Sequence, residues 1–319
     1  MLIHITLFMV GLVILALGAD WMVRGASSMA LYFGWRPIVV GLTVVALGTS
    51  LPEFLVNIFA VMAQQDAIAV GNVVGSNIAN VGLILGIAAV LLPLRIARAT
   101  LHREYLLMMA ILVGFTAFAL DGQIQRWNGL VLVTGLVMLL LYLFFRQTNR
   151  KNPLVDKALV DQTASRLPSV PKQLLYIIGG IVGLGLGAHL MVEHATAIAR
   201  AYAISEVVIG LTIVALGTSL PELATSVIGA FKKETALSIG NILGSNMLNV
   251  LFVIGSVSVV QPLLVEDTVV RIHLPVMLVI CGLLYVLARP SLRLGRWQGM
   301  VLLLAFAGYM TYLAWPYVT

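Results

Sequence analysis

Charged residues are scarce in this chain of 319 residues. Asp, Glu, Lys and Arg together make up 10% of it, whereas an average soluble protein has about 25%. Hydrophobic residues make up 61%, and the mean hydropathy is +1.04. This composition excludes a soluble globular domain and indicates an integral membrane protein. The apolar runs have the length of about 20 residues that a helix needs to cross a bilayer, and the alternating ten-residue segments of a transmembrane barrel are missing, so we predict an all-α membrane protein.

Cysteine is almost absent. Cys281 is the only one in the sequence, which excludes an intrachain disulfide and predicts a buried, inert thiol. The net charge is +6, but no basic run lies on a soluble domain, so nucleic acid is not an expected partner and membrane lipid is. The N-terminal apolar segment lacks a basic start and a small-residue cleavage pattern, so we expect it to remain as the first spanning helix.

Polar punctuation divides the chain into ten apolar windows and one long polar stretch. The polar stretch, 146–172, has the composition of a linker and separates five windows from five. We therefore predict a first five-helix repeat at 1–146, a cytoplasmic linker at 147–172 and a second five-helix repeat at 173–319. The predicted spans are 2–30, 37–63, 67–93, 104–120, 127–145, 173–199, 206–230, 235–260, 272–288 and 297–317.

The two halves are copies of one another. Residues 11–90 align with 180–259 without a gap at a constant offset of 169, and 12 of 13 residues are identical between Gly41–Glu53 and Gly210–Glu222. Such agreement indicates an internal duplication. Because an odd number of spans separates corresponding helices, the copies enter the membrane from opposite sides, and the repeat is inverted.

The distribution of positive charge favours the same topology. With both termini outside, 16 Lys and Arg residues lie on the inner side, and only Arg126, Arg200 and Arg271 lie on the outer side. This bias agrees with the positive-inside rule. We therefore expect a multi-pass protein of the cell (inner) membrane with its linker in the cytoplasm.

Each copy places a proline and a glutamate inside an apolar run, as "GTSLPE". Pro52 and Pro221 have no amide hydrogen, so the second and seventh spans should be broken near the midplane and release backbone carbonyls for binding. Glu53 and Glu222 follow directly, each on the same helix face as the threonine four residues before it.

The following span adds further oxygen ligands through the paired motifs "GNVVGSNIAN" and "GNILGSNMLN". None of the four segments contains Lys, Arg, His or Cys. A buried carboxylate without a countercharge is either protonated or neutralised by a bound ion. An all-oxygen site with two carboxylates suits Ca²⁺ or several Na⁺ ions, and two sets of ions that need the same carboxylates would compete, which is the basis of exchange.

These motifs in an inverted five-plus-five repeat resemble the calcium/cation antiporter superfamily, specifically its prokaryotic sodium/calcium exchanger branch. The resemblance covers essentially the whole chain. It implies ten helices, a midplane site with four ion positions, exchange of three Na⁺ for one Ca²⁺, and sliding of the first and sixth helices as the gate. It also implies twelve ligand residues and no cofactor beyond the transported ions. The ligands are Ala46 (carbonyl), Thr49, Ser50, Glu53, Ser76 and Asn80 in the first copy, and Ala215 (carbonyl), Thr218, Ser219, Glu222, Ser245 and Asn249 in the second.

Two positions depart from that pattern. Asn249 stands where some microbial members have Asp, which removes one negative charge, and Asn57 stands where a small hydroxyl residue is common, as Ser226 is in the second copy. Stoichiometry and oligomeric state stay open.

Other functions are open at this point. A proton- or potassium-coupled exchanger is the alternative within the same class, and a cation channel is the alternative outside it. An intramembrane enzyme ranks last because the chain has neither G-x-S-x-G, H-E-x-x-H nor a phosphate loop. The cluster from His189 to His194 has the wrong spacing for a zinc motif and predicts polar packing, and Asp20 and Arg24 are expected to form an ion pair within one helix.

Overall fold

The computed structural model describes residues 1–148, 167, 169–202 and 215–314, and almost all of them are helical. The helices are α1 (Leu2–Phe33), α2 (Pro37–Thr49), α3 (Leu51–Met62), α4 (Asp66–Leu91), α5 (Thr100–Ala119), α6 (Arg126–Thr148), α7 (Val170–Ala201), α8 (Ala215–Gly217), α9 (Leu220–Phe231), α10 (Thr235–Val260), α11 (Val269–Ala288) and α12 (Arg296–Ala314). The strands have two residues each: β1 (Leu94–Arg95), β2 (Gln123–Ile124), β3 (Leu263–Leu264) and β4 (Arg293–Leu294).

Seven of these helices are long and apolar enough to cross a membrane, and the bent pair α2–α3 raises the number to eight. The predicted class, a helical membrane protein, is therefore confirmed. The predicted span 206–230 begins outside the described residues, and the predicted span 297–317 ends outside them. The predicted linker, 147–172, also lies mostly outside them, and the helices on either side reach into it, to Thr148 and from Val170.

The offset of 169 residues recurs in the bounds of the helices. It relates α3 to α9, α4 to α10 and α5 to α11 at both ends. It also relates the wider π-helical turns inside them, since Asn80–Leu85 in α4 corresponds to Asn249–Ile254 in α10. Turns of this kind are rare in proteins as a whole, but those that occur are often found at functional sites.

The two longest helices, α1 and α7, have 32 residues each and pack against one another along a seam of glycines. Gly11 lies against Gly187 and Leu190, whereas Gly18 lies against Gly180 and Leu184, so the helices run antiparallel. A methyl group at Gly18 would lie 2.6 Å from the Leu184 nitrogen. The contact is therefore between backbones, which only small residues permit.

Helices α4 and α10 form the centre of the bundle. Their most apolar windows are 78% and 83% buried, compared with 22% to 33% for the five other long apolar helices. The short strands join the two halves of the chain next to these helices, because β1 pairs with β4 and β2 pairs with β3, both antiparallel. The motifs on α4 and α10 are thus held in the protein interior, away from lipid.

The second predicted span is bent, as its proline predicts. Helices α2 and α3 meet at an angle of 44°, and the break falls at Ser50, two residues before Pro52. In the second half the corresponding break lies between Gly217 and Leu220. A proline ring crowds the preceding turn, so the distortion appears on its N-terminal side.

Candidate cation-binding site

The two motif glutamates are buried in the centre of the protein. Glu53 is 1% exposed and Glu222 is 0% exposed, and both lie in the first turn of the helix that follows a break. Ser50 Oγ donates to Glu222 Oε1 at 3.2 Å, and the Ser219 hydroxyl group hydrogen-bonds Glu53. Each serine thus binds the glutamate of the other copy.

The threonines of the two motifs also make contacts between copies. Thr49 Oγ1 lies 3.1 Å from Asn241 Oδ1 on α10, and Thr218 Oγ1 lies 3.5 Å from Asn72 Oδ1 at the equivalent position on α4. Ser245 Oγ donates to Glu222 Oε1 at 3.4 Å and lies 3.5 Å from the Thr49 hydroxyl group.

Ser76 completes the hydroxyl groups at the centre, since the Ser219 hydroxyl group lies 3.5 Å from it. The structure therefore gathers Thr49, Ser50, Glu53, Ser76, Ser219, Glu222 and Ser245 around one centre.

Four buried oxygens of the predicted ligand set have no hydrogen-bond partner among the described residues. They are Oε2 of Glu53, Oε2 of Glu222, Oδ1 of Asn80 and Oδ1 of Asn249. The offset of 169 relates these atoms in pairs, so the two copies contribute the same chemistry. Buried polar atoms are normally satisfied, so unpartnered acceptors at equivalent positions of both copies are a feature expected of a binding site.

The two predicted backbone ligands, the carbonyl groups of Ala46 and Ala215, lie in turns with different hydrogen bonds. The Ala46 carbonyl oxygen accepts from the Ser50 amide at 2.9 Å, and the Thr49 hydroxyl group lies 3.3 Å from it. The bend therefore leaves this carbonyl partnered within its own turn. Ala215 begins α8 at the edge of the described residues. In that half the Ser219 amide donates to Leu216 instead, at 3.1 Å.

Three asparagines beside the ligand set form contacts, and of these the sequence analysis had named only Asn57. Asn57 Nδ2 donates to the Glu53 carbonyl oxygen at 2.7 Å and so supports the first turn of α3. Asn77 and Asn246 bind the ligand asparagines of the opposite copy, at 3.1 Å and 2.9 Å. The signal was present in the sequence, because both residues stand inside the repeated "GSN" motif.

The donor set suits a hard cation. Among the described residues, no group of three or more His, Cys, Asp and Glu side chains is placed to hold a metal ion. Two carboxylates, hydroxyl groups and amide oxygens instead give an all-oxygen environment with a formal charge of minus two, which Ca²⁺ accepts and transition metals do not favour.

A cavity of about 300 Å³ reaches the site. It is mostly apolar and reaches Ser76, Thr218 and Asn72, with His273 and Tyr309 on its wall. Helix α2 packs directly on α10 beside the site, and a methyl group at Gly41 would lie 2.5 Å from the Leu237 carbonyl oxygen. The cavity thus reaches two predicted ligands, Ser76 and Thr218, whereas α2 and α10 leave no space between them at Gly41.

Two smaller predictions are confirmed. Arg24 and Asp20 form an ion pair at 2.7 Å on α1, and Asp20 also pairs with Lys232 at 2.5 Å. The histidine cluster on α7 makes polar contacts, because His189 lies 3.4 Å from Glu193 and His194 lies 3.1 Å from His4.

Known proteins share this combination of fold and motifs. A family model described as sodium/calcium exchanger protein matches the chain twice, at residues 3–145 and 172–315. The chain therefore belongs to the sodium/calcium exchanger family, in the prokaryotic branch of the calcium/cation antiporters, and members of this family are transporters rather than enzymes.

Individual relatives match over nearly their whole length. The inner membrane protein YrbG of Escherichia coli is 35% identical over 99% of this chain and 98% of its own. The sodium/calcium exchanger MaX1 of Methanosarcina acetivorans is 29% identical over 98% of both chains. A structure of the sodium-calcium exchanger NCX_Mj, soaked with zero Na⁺ and Ca²⁺, superposes with a TM-score of 0.84 at 31% identity, covering 98% of this chain and 99% of that one.

Proposed function

We propose that this protein is a secondary antiporter that exchanges Na⁺ for Ca²⁺ at one site shared by Glu53 and Glu222. The observation that carries the proposal is the set of four unpartnered buried oxygens on Glu53, Glu222, Asn80 and Asn249. Leaving such atoms without partners costs about 1–3 kcal/mol each. A cation that binds between them removes that cost.

Charge balance supplies the mechanism of exchange. Two ionised glutamates, with no basic side chain in the segments that bear them, carry a charge of minus two. One Ca²⁺ neutralises this charge, and so do two Na⁺. Both cargoes need the same carboxylates, so binding of one weakens binding of the other, and alternating access converts this competition into coupled transport.

The proposed ligand set is the one that the motifs give. Side-chain oxygens come from the seven residues gathered at the centre, together with Thr218, Asn80 and Asn249. The backbone carbonyl groups of Ala46 and Ala215 join them when ions bind.

We further propose ten spanning helices in two inverted repeats, with both termini outside and the linker in the cytoplasm. The antiparallel packing of α1 on α7 supports the inversion, and the two matches of the family model support the division at the linker. In this orientation the cavity lies on the outer side, and the contact between α2 and α10 at Gly41 lies on the cytoplasmic side. The name of the E. coli relative supports placement in an inner membrane.

Uptake of ⁴⁵Ca²⁺ into inverted vesicles tests the proposal. A Na⁺ gradient should drive uptake in the wild type, and Glu53→Gln or Glu222→Gln should abolish it. Glu104→Gln is a matched control, because Glu104 is equally buried at 2% exposure but lies on α5 beside Arg36, outside the site. Uptake that survives both substitutions at the site would exclude the proposed mechanism.

Ion replacement separates the alternatives. If choline in place of Na⁺ stops uptake while a pH gradient and K⁺ are held constant, the coupling ion is Na⁺. If uptake instead follows the pH or K⁺ gradient, the protein is a proton- or potassium-coupled exchanger that uses the same glutamates. A channel would pass Ca²⁺ without any counter-ion.

A further inference from the structure

Two asparagines behind the proposed site bind its asparagine ligands. Asn77 follows Ser76 on α4, and Asn246 follows Ser245 on α10, at the same offset of 169. Both side chains are 0% exposed. Each contacts the ligand asparagine of the other copy, so the four amides link the two central helices.

The first branch of this network ends on a backbone carbonyl group. Asn246 Nδ2 donates to the Asn77 carbonyl oxygen at 3.3 Å. A carbonyl group only accepts hydrogen bonds, so this contact determines which end of the Asn246 amide is NH₂. Asn246 Oδ1 therefore points the other way and accepts from Asn80 Nδ2 at 2.9 Å. The remaining end of the Asn80 amide is its oxygen, which has no partner in the part of the chain that the structure describes.

The second branch ends on a thioether. Asn77 Nδ2 lies 3.8 Å from Met277 Sδ, which also only accepts. Asn77 Oδ1 accordingly accepts from Asn249 Nδ2 at 3.1 Å. The free end of the Asn249 amide is again the oxygen, and it too has no partner within the described ranges. Both branches thus leave an oxygen available.

An amide is nearly symmetric in shape but not in polarity. If either ligand amide were reversed, it would present an NH₂ donor to a cation instead of a carbonyl oxygen. Building on the proposed function, we infer that Asn77 and Asn246 are positioning residues that hold the carbonyl oxygens of Asn249 and Asn80 toward the transported cation.

Replacement of the ligand by a carboxylate tests the first branch, because Asp presents oxygen whichever way it is turned. In the wild-type background, Asn246→Leu should raise the Ca²⁺ concentration for half-maximal uptake about ten-fold or more, with a smaller effect on the maximal rate. In the Asn80→Asp background the same change should be neutral or beneficial, since it removes an oxygen that faces the new carboxylate.

The second branch provides an independent test with Asn77→Leu and Asn249→Asp. Asn77→Leu keeps its own backbone carbonyl group, so the Asn246 branch retains its anchor. Its effect should again be large in the wild type and absent in the Asn249→Asp background. If one leucine variant fails to fold, the other branch decides the question.

Asn128→Leu is the matched control, because it deletes a buried asparagine whose Oδ1 only accepts from the Gln125 amide on the same segment. This variant should leave the Ca²⁺ concentration for half-maximal uptake unchanged. Ca²⁺-induced thermal stabilisation of the purified proteins repeats the comparison without transport. If the leucine variants lose as much Ca²⁺ affinity in the Asp backgrounds as in the wild type, the positioning role of Asn77 and Asn246 is overturned. The proposed exchange at Glu53 would not be affected by that result. If the wild type neither transports nor binds Ca²⁺, the proposed function fails as well.

Discussion

Ser50 on one copy donates a 3.2 Å hydrogen bond to Glu222 on the other. The serine occupies the bend between α2 and α3, where the backbone leaves helical geometry with ψ of 4°. The bend therefore aims a hydroxyl group across the interface between copies. The same bend that interrupts the helix therefore also positions a hydroxyl group of the site.

Removal of that hydroxyl group should weaken ion binding. Ser50→Ala deletes a donor to a buried carboxyl group, a bond worth about 1.5–3 kcal/mol when the acceptor is charged. We expect about a ten-fold or larger rise in the Ca²⁺ concentration for half-maximal uptake. Ser258→Ala is the control, because Ser258 is also buried but donates only within α10, to Ile254. Equal effects of the two changes would argue against a role at the site.

The glycine contact between α2 and α10 should not tolerate a methyl group. A Cβ atom at Gly240 would lie 2.5 Å from the Ile38 carbonyl oxygen, which is backbone and cannot turn away. Gly240→Ala should therefore separate the helices and lower the melting temperature of the purified protein. Gly114→Ala, on α5, meets no described atom within 4 Å and should leave it unchanged. Matching melting curves for the two variants would contradict the packing.

The ion pair between Asp20 and Lys232 joins α1 to the end of α9. Both side chains are about a quarter exposed, at 25% and 28%, so the pair contributes no more than about 1 kcal/mol. Lys232→Gln should lower thermal stability slightly, and the loss should shrink as salt is added. Lys233→Gln, one residue along, should show no salt-dependent loss. A large loss that salt does not change would show that the contact has another basis.

Cys281 should be unreactive in the folded protein. It is 0% exposed, and its sulfur lies 3.7 Å from Asn246 Nδ2 in the interior of the bundle. A membrane-permeant maleimide should label the native protein negligibly and the denatured protein at this single thiol. Mass spectrometry measures both states. Rapid labelling of the native protein would mean that water reaches the amide network.

The sequence was sufficient for the features that depend on chain-local patterns. Apolar windows predicted most of the long helices, and the motif "GTSLPE" predicted the bend, although Ser50 rather than Pro52 marks its position. The stripe of Asn72, Ser76 and Asn80 lies on one face because a helix repeats every 3.6 residues.

These patterns could not predict the contacts between the two copies. Asn77 and Asn246 lie beside that stripe and matter only because α4 and α10 meet at the centre of the bundle. No periodicity encodes which amide faces which. The π-helical turns at Asn80 and Asn249 and the paired two-residue strands likewise depend on tertiary packing and left no signal in the sequence.

The length of α1 and α7 makes transport depend on the thickness of the surrounding bilayer. A helix of 32 residues is about 48 Å long, whereas the hydrocarbon layer is about 30 Å thick. This pair must tilt steeply, project into the headgroups or stretch the surrounding lipid. The acyl-chain length of the lipid therefore exerts a force on α1 and α7, the helices that flank the site. We expect thin and thick bilayers to support different turnover rates in the same protein.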